Sequence, residues 1–475
     1  MSKLLNNLPI EDLNSENDYL GIIDKGQIIK TFLESNKDEF KDIKMFCLYG
    51  EWGSGKSTLM KYLQKELKVS FNTFFFEAWE FESDSNLSLS LLEYLVKKSQ
   101  DSTDEAFGEI LEVAAKLFKG FSKSIRISVP GLSIDGSKLV ETLEEVPEET
   151  FLQLKEKFKI EFRKWEDNNT KSKKKNFNIV FVDDLDRCEP ENVLNLLSAL
   201  KLFFTYGEKT IFFCGIDKKA VNEAVKTKYG KVVKANEYLE KIFDISFTMP
   251  EYDDLLKLVN LYFNNVEVSS LKGKLNLNIS SFFKVLKITN PRRIKKVLNK
   301  FQIFRSIKEN NSRIRLPNIY IDNEGNYFET ILVLYFIILH EFHPKLFHRV
   351  FDMKYKESYL LGVVNKSVKE GSLEGYQRTI EHLATQDLIN KKISSIHFSN
   401  NQYQEFVFSF LPNNVLQLSR NSYTNDDFLL MKVSEKNIEY RFIEYVLNNE
   451  NILDYEENDS DLSMNEIKQL ITKIL

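Results

Sequence analysis

Residues 45–67 read MFCLYGEWGSGKSTLMKYLQKEL, and this segment indicates the class of fold more strongly than any other. Its first five residues form an apolar run typical of a buried strand, and the apolar spacing after residue 56 is typical of a helix. Between strand and helix lies the pattern Gly-x-x-x-x-Gly-Lys-Ser without a mismatch. Loops of this pattern surround phosphates with backbone N–H groups, so the segment predicts a phosphate-binding loop in an α/β sheet. The alternative is a chance glycine-rich turn.

Each residue of this loop is expected to contact a nucleotide. Glycines let the backbone approach phosphates closely, and the following helix adds the positive end of its dipole. The Lys56 ammonium is expected to act catalytically on the β- and γ-phosphates, and the Ser57 hydroxyl is expected to ligate Mg²⁺. The predicted nucleotide-binding residues are Gly50, Glu51, Trp52, Gly53, Ser54, Gly55, Lys56, Ser57 and Thr58.

An acidic motif, NIVFVDDLDR, occupies residues 178–187. Asp183 ends an apolar run and is expected to act on Mg²⁺, and Asp184 is expected to polarise the attacking water. Two adjacent acids here are typical of P-loop proteins that hydrolyse nucleotides, whereas nucleotide kinases need an acceptor site. The alternative for Asp184 and Asp186 is a helix cap or a first-turn carboxylate. Arg187 either acts catalytically on the transferred phosphoryl group or pairs with one of these acids.

A further polar residue follows the apolar run TIFFCGI at 210–216. Asp217 stands where a side chain can sense the γ-phosphate, so it joins the predicted nucleotide-binding residues. It can equally cap the helix that begins with KKAVNEAV. The residues themselves leave both roles open.

Strand-like and helix-like segments alternate from residue 45 to residue 249, which predicts a parallel sheet covered by helices. The predicted strands are 45–49, 73–79, 178–182, 210–216 and 243–249. After Pro250 the pattern is mostly helical. The expected division is a P-loop core (1–250) with an insertion at about 101–170, a helical lid-like domain (251–320) and a mostly helical C-terminal domain (321–475).

Composition excludes several classes of protein. The 475 residues are 43% hydrophobic and include 38 Phe, so the chain as a whole is not disordered. The net charge of −5 argues against broad affinity for nucleic acid and leaves room for a local basic patch. Three cysteines without metal-ligand spacing fit a reducing cytoplasm. The most apolar run, 331–339, is too short for a membrane span and is expected to be a buried helix rather than a docking surface.

Several blocks together resemble the KAP family of P-loop NTPases. They read GEWGSGKST (50–58), FFEAWEFES (75–83), FVDDLDRCEPENVLNLLSALKLFF (181–204), GIDKKAVNEAVKTKYG (215–230), YLEKIFDISFTMP (238–250) and TNPRRIKKVLNKF (289–301). The resemblance implies a RecA-like core with strand order 5-1-4-3-2. It also implies that Arg292 or Arg293 acts catalytically by reaching the γ-phosphate, whereas the residues alone are equally typical of a solvated basic helix face. Trp79 is expected to pack rather than to act in catalysis.

Two departures from the family pattern limit what the resemblance implies. Many members carry transmembrane helices between the two nucleotide-binding motifs, but residues 101–150 of this chain contain no apolar run of membrane length. Glu80 stands where the family usually has a basic residue, so an ion-pair role at that position does not carry over.

The motifs and the resemblance predict an enzyme that binds and hydrolyses ATP with Mg²⁺ and acts as a regulatory switch. Its readout is expected to be assembly or partner release, through a protein partner or through self-association of the C-terminal region. Bacterial members are often linked to defence against phage, so the resemblance implies that setting as well. Two alternatives stay open: an ATPase motor or sensor that depends on nucleic acid, and a scaffold that binds nucleotide without turnover.

Overall fold

The computed structural model divides the chain into two compact units. The sheet unit comprises Leu8–Glu251, and the helical unit comprises Met1–Asn7 with Tyr252–Leu475. The residues that the structure describes are 4–84, 86–99, 105–122, 150–172, 175–230, 235–252, 254–268, 273–310, 313–349, 438, 441, 442, 445, 462 and 464–475.

Five parallel strands form the sheet of the sheet unit. The three central strands are rich in apolar residues and buried along their whole length, as expected for a sheet covered on both faces. With the strands numbered in chain order and read from the edge formed by the fifth strand, the order is 5-1-4-3-2, which is the order that the family resemblance implies. The strands are β1 (Met45–Tyr49), β2 (Asn72–Glu77), β3 (Asn178–Asp183), β4 (Thr210–Ile216) and β5 (Ile245–Thr248).

One helix precedes β1, and the other helices of this unit lie between successive strands, as parallel neighbours require. They are α1 (Ile22–Ser35), α2 (Lys56–Glu66), α3 (Leu87–Lys98), α4 (Glu105–Ser122), α5 (Phe151–Ser172), α6 (Pro190–Leu202), α7 (Lys218–Tyr229) and α8 (Ala235–Ile242). Short 3₁₀ turns follow several of them or end a strand: Lys37–Lys41, Leu67–Val69, Ala78–Phe81, Leu185–Arg187 and Phe204–Tyr206.

Two strands are shorter than the sequence predicts, and the pairing of the sheet explains both. The strand predicted at 73–79 ends at Glu77, because its neighbour β3 ends at the paired residue Asp183 and offers no further backbone partner. The strand predicted at 243–249 spans only Ile245–Thr248, the part that pairs with β1. Trp79 therefore lies in a 3₁₀ turn rather than in a strand.

The region predicted as an insertion contributes to the core of the sheet unit. The Phe118 ring of α4 lies 5.6 Å from that of Phe158 on α5, and 5.8 Å from that of Phe204 after α6. These side chains belong to the same buried cluster as the apolar residues of the central strands. Residues 123–149, the middle of the predicted insertion, lie outside the described residues.

The described part of the helical unit consists of helices and connecting segments. Within α12, residues 331–339 are all buried, which confirms the prediction of a buried helix. Across the described residues, no helix combines the length and the apolar character that a membrane span requires. The helices are α9 (Leu256–Val259), α10 (Leu275–Val285), α11 (Pro291–Asn310), α12 (Tyr327–Phe342), α13 (Pro344–Arg349) and α14 (Met464–Ile474).

Asp244 joins the starts of two neighbouring strands in the sheet unit. Its carboxylate accepts the backbone N–H groups of Lys44 (3.0 Å) and Met45 (2.9 Å), and the Lys201 ammonium at 2.6 Å. Burial alone raises the pKa of Asp244, but these donors outweigh burial and hold it below its usual value. The resulting stabilisation is present above the ordinary carboxyl pKa and is lost as the pH falls through the depressed value.

We predict that Asp244→Ala lowers the free energy of unfolding by about 1–3 kcal/mol near neutral pH, because it leaves backbone donors without an acceptor. Urea denaturation measures this change. The matched control is Asp167→Ala, which removes a more exposed carboxylate paired with Lys209 and should cost much less. Equal losses in the two variants would contradict the role of Asp244.

Candidate active site

The loop between β1 and α2 adopts a conformation that depends on glycine. Gly53 has a φ of 82° and Gly55 a φ of 94°, both in the left-handed region that glycine adopts without strain. The Ser54 N–H donates to the Glu51 carbonyl oxygen at 3.0 Å, which closes the turn. The chain thus curves back on itself just before the first turn of α2.

Gly50 fixes the base of this loop. A Cβ at this position would lie 2.5 Å from the Ser54 Oγ and 2.7 Å from the Met249 Cγ, so a side chain does not fit without displacement. The Gly50 N–H donates to the Ile216 carbonyl oxygen at 3.1 Å, at the end of β4. Packing and hydrogen bonding therefore hold the loop at the carboxyl edge of the sheet.

Lys56 lies across the loop. Its side chain is buried, and its ammonium donates to the carbonyl oxygens of Gly50 at 2.9 Å and Glu51 at 3.3 Å. Both acceptors are neutral, so these contacts leave the charge of the ammonium uncompensated. A cation held inside a loop of this shape is suited to bind phosphate oxygens.

Asp183 at the end of β3 is almost completely buried, with 1% of its surface exposed. Burial raises the pKa of its carboxyl, and interactions with the Ser57 hydroxyl and the Lys56 charge oppose that rise. The Oδ2 atom has no hydrogen-bond partner. The neighbouring strand approaches closely, since a Cβ on Gly215 would lie 2.8 Å from Oδ1. The site therefore holds a carboxylate oxygen in need of a partner.

This geometry fits Mg²⁺. The ion takes oxygen ligands and is usually held by one or two protein groups together with substrate phosphates and waters. The Ser57 hydroxyl and the Asp183 carboxylate supply such oxygens beside the phosphate-binding loop. Among the described residues, no group of three or more His, Cys, Asp and Glu side chains forms a separate metal cage.

Asp184 has a backbone conformation that is unusual for a residue with a side chain, with φ 57° and ψ 26°. Burial, and next the charge of Asp183, raises its pKa to about 6. The Arg187 Nε lies 3.2 Å from the Asp184 Oδ1, so of the two predicted roles of Arg187 the ion pair is present in the structure. The Arg187 guanidinium also lies 5.0 Å from the ring centre of Trp79, which packs against it while remaining 52% exposed.

Asp217 connects β4 to the phosphate-binding loop. One of its oxygens accepts the Lys219 N–H at 2.9 Å, which caps α7, and the other accepts the Trp52 N–H at 2.9 Å. The predicted helix cap is therefore present. Glu51 of the loop forms an ion pair with the Lys219 side chain, so both sides of the cap hold the loop.

Two features of this edge were not anticipated from the sequence. Glu77 is the register partner of Asp183 and pairs with the Lys61 ammonium of α2 at 3.3 Å. The signal that could have revealed it is a carboxylate inside the otherwise apolar run predicted as a strand at 73–79. The Thr58 hydroxyl accepts the N–H of Ile10 at 3.2 Å, and no motif in the N-terminal sequence points to this contact.

Arg292 and Arg293 belong to the helical unit, in the first turn of α11. Their N–H groups donate to the Asn290 side-chain oxygen at 3.1 and 3.4 Å. The Arg292 guanidinium donates to the Asn7 carbonyl at 3.3 Å, and that of Arg293 lies 5.3 Å from the centre of the Phe342 ring. The sheet unit thus gathers the predicted loop and acidic residues, while the role of these arginines toward phosphate stays a prediction.

Comparison with known families matches residues 26–308 to the KAP family P-loop domain. The chain belongs to the KAP family. The match includes the whole parallel sheet and ends within α11, so the phosphate-binding loop and the acidic edge are parts of the KAP domain.

Two proteins of Methanocaldococcus jannaschii are similar to part of this chain. An uncharacterized protein of Methanocaldococcus jannaschii is 35% identical over 167 residues, which cover 30% of this chain and 65% of that protein. A second uncharacterized protein of the same organism is 30% identical over 168 residues, 28% of this chain and 84% of that protein. The chain thus spans slightly less than two thirds of the first relative.

The left-handed backbone conformation of Asp184 predicts a strain that can be tested separately from the catalytic role of its carboxylate. Asp184→Gly should be more stable than Asp184→Ala by about 1 kcal/mol, because only glycine adopts this φ without cost. Urea denaturation of both variants measures the difference. Asp186, the neighbouring acid with an ordinary φ, is the control, and there the glycine variant should be the less stable one. If the glycine variant were more stable than the alanine variant at both positions, backbone strain at Asp184 would be contradicted.

Proposed function

We propose that this KAP protein binds ATP together with Mg²⁺ and hydrolyses it to ADP and phosphate. The observation that carries the proposal is the buried Asp183 carboxylate, whose Oδ2 lacks a partner beside Ser57 and Lys56. A buried charge that is not fully compensated is costly in a folded protein and commonly marks a binding site for a charged ligand.

The phosphate-binding loop supports the binding of the triphosphate. Its backbone curves before the helix, and Lys56 supplies a buried positive charge that two carbonyl groups hold in place. The positive end of α2 adds to this field, because its first N–H groups have no helical partner. When bound, Mg²⁺ would neutralise charge on the phosphate oxygens, held by Ser57 and Asp183.

We assign Asp184 the role of general base. A water oxygen forms a bond to the γ-phosphorus, the bond from that phosphorus to the bridging oxygen of ADP breaks, and the water proton passes to the carboxylate. With a pKa of about 6, which burial sets more than any other effect, this carboxylate is mostly ionised at neutral pH and can accept the proton. The ion pair with Arg187 orients the base for this step.

We further propose that the ATPase cycle serves as a regulatory switch. Asp217 ties the loop to the start of α7, so a movement of the loop on nucleotide binding would be transmitted to that helix. The readout would be a protein partner or self-association through residues 321–475. Bacterial members of the family are often linked to defence against phage, and from that association we propose the same biological setting for this protein.

Two substitutions test the catalytic assignment. Lys56→Ala should lower the ATPase rate by at least about 100-fold, because a charge that stabilises the transition state is lost. Asp184→Asn should lower it by about 100-fold or more while ATP still binds. Phosphate release and ATP affinity measure these effects, with Lys209→Ala as a control that removes a surface ion pair. Unchanged turnover in both site variants would show that the assignment is wrong.

The switch predicts a change in assembly or shape. Size-exclusion chromatography of the full chain should show a shift in elution with Mg²⁺ and a slowly hydrolysed ATP analogue, relative to ADP. The same elution volume with both nucleotides would contradict the switch. If DNA or RNA instead raises the ATPase rate several-fold, the nucleic-acid-dependent alternative replaces it.

A further inference from the structure

The N-terminal segment of the sheet unit lies along the helix that follows the phosphate-binding loop. We call residues 8–13 the N-terminal strap. It contacts the loop region through the hydrogen bond from the Ile10 N–H to the Thr58 hydroxyl, at 3.2 Å. Thr58 is in the first turn of α2, directly after Ser57. The strap therefore begins at the edge of the candidate active site.

Three contacts fix the far end of the strap. The Glu11 carboxylate pairs with the Lys61 ammonium at 2.6 Å, and Asp12 pairs with Lys65 one turn further along α2. The side chain of Leu13 is buried in the core. The carboxylates of the strap are thus bound to lysines of α2 and directed along the helix.

The near end of the strap is apolar and accessible. It reads Leu8-Pro9-Ile10, and Leu8, two residues before the Ile10 that contacts Thr58, is 70% exposed. Pro9 and Ile10 are partly exposed as well. Exposed apolar surface at such a place is available to a ligand with an apolar face.

The path of a bound nucleotide from its phosphates to its base determines which part of it can contact the Leu8–Ile10 end of the strap. The N–H groups of the loop and of the first turn of α2 surround the phosphates, and the base is attached through the ribose to the α-phosphate. A base that leaves the loop past Thr58 comes within reach of residue 10, because the Ile10 backbone already contacts the Thr58 hydroxyl. Purine rings have large apolar faces that aliphatic side chains can cover.

We infer that the Leu8–Ile10 end of the N-terminal strap contacts the nucleobase and gives this site a preference for purine over pyrimidine nucleotides. The inference rests on the proposed function, because it assumes that the loop binds a triphosphate. It assigns base recognition to a segment that lies before the region matched by the family. Apolar contact discriminates by ring size, so ATP and GTP should both bind more tightly than CTP.

Calorimetric titrations of the full chain with Mg²⁺ and ATP, CTP or inorganic tripolyphosphate test the inference, since tripolyphosphate has no base. Wild type should bind ATP more tightly than CTP or tripolyphosphate. Leu8→Ala should weaken ATP binding by about fivefold and leave tripolyphosphate binding unchanged. Leu152→Ala, at a leucine of α5 with 69% exposure, is the matched control and should change neither.

The outcomes separate the inference from the proposed function. If Leu8→Ala leaves ATP affinity unchanged, or weakens ATP and tripolyphosphate equally, the strap does not contact the base. If wild type binds CTP as tightly as ATP, the purine preference is wrong. If wild type binds neither tripolyphosphate nor any nucleotide, the proposed function itself fails.

Discussion

The site depends on one buried carboxylate, that of Asp183. It lies at the end of a fully buried strand, where burial raises its pKa and Oδ2 has no hydrogen-bond partner. Such a group destabilises the folded protein when no ligand is bound, because the free-energy cost of desolvating a charge exceeds the gain from partial hydrogen bonding. The surrounding structure accommodates it with Ser57 and Lys56 on one side and the backbone of Gly215 on the other.

The sheet order places the remaining groups around that carboxylate. Because β4 lies between β1 and β3, the loop after β1, the acids after β3 and Asp217 after β4 meet at one edge. Hydrogen bonds then fix the loop from two directions, through Ile216 to its base and through Asp217 to its tip. The buried central strands thus hold polar residues at their carboxyl ends within hydrogen-bonding distance of the loop.

Much of this was predictable from sequence, because it depends on local patterns. The strands at 45–49 and 210–216, the turn at Gly53 and Gly55 and the acids after β3 all follow from apolar runs bounded by glycine or aspartate. The features that could not be predicted from the sequence depend on pairing between residues that are far apart in the chain. The end of β2 is set by the length of β3, and the bond between Ile10 and Thr58 joins residues 48 positions apart. The ion pair of Arg187 with Asp184, at 3.2 Å, was one of two roles that the sequence left open.

The most direct test of the central claim is nucleotide-dependent metal binding at Asp183. Electron paramagnetic resonance can follow Mn²⁺ in place of Mg²⁺, with the full chain and a slowly hydrolysed ATP analogue. Wild type should bind Mn²⁺ only when the nucleotide is present, and Asp183→Asn should weaken this binding by about tenfold or more. Asp186→Asn, the control, should bind as wild type does. Equal Mn²⁺ binding in wild type and Asp183→Asn would contradict the account.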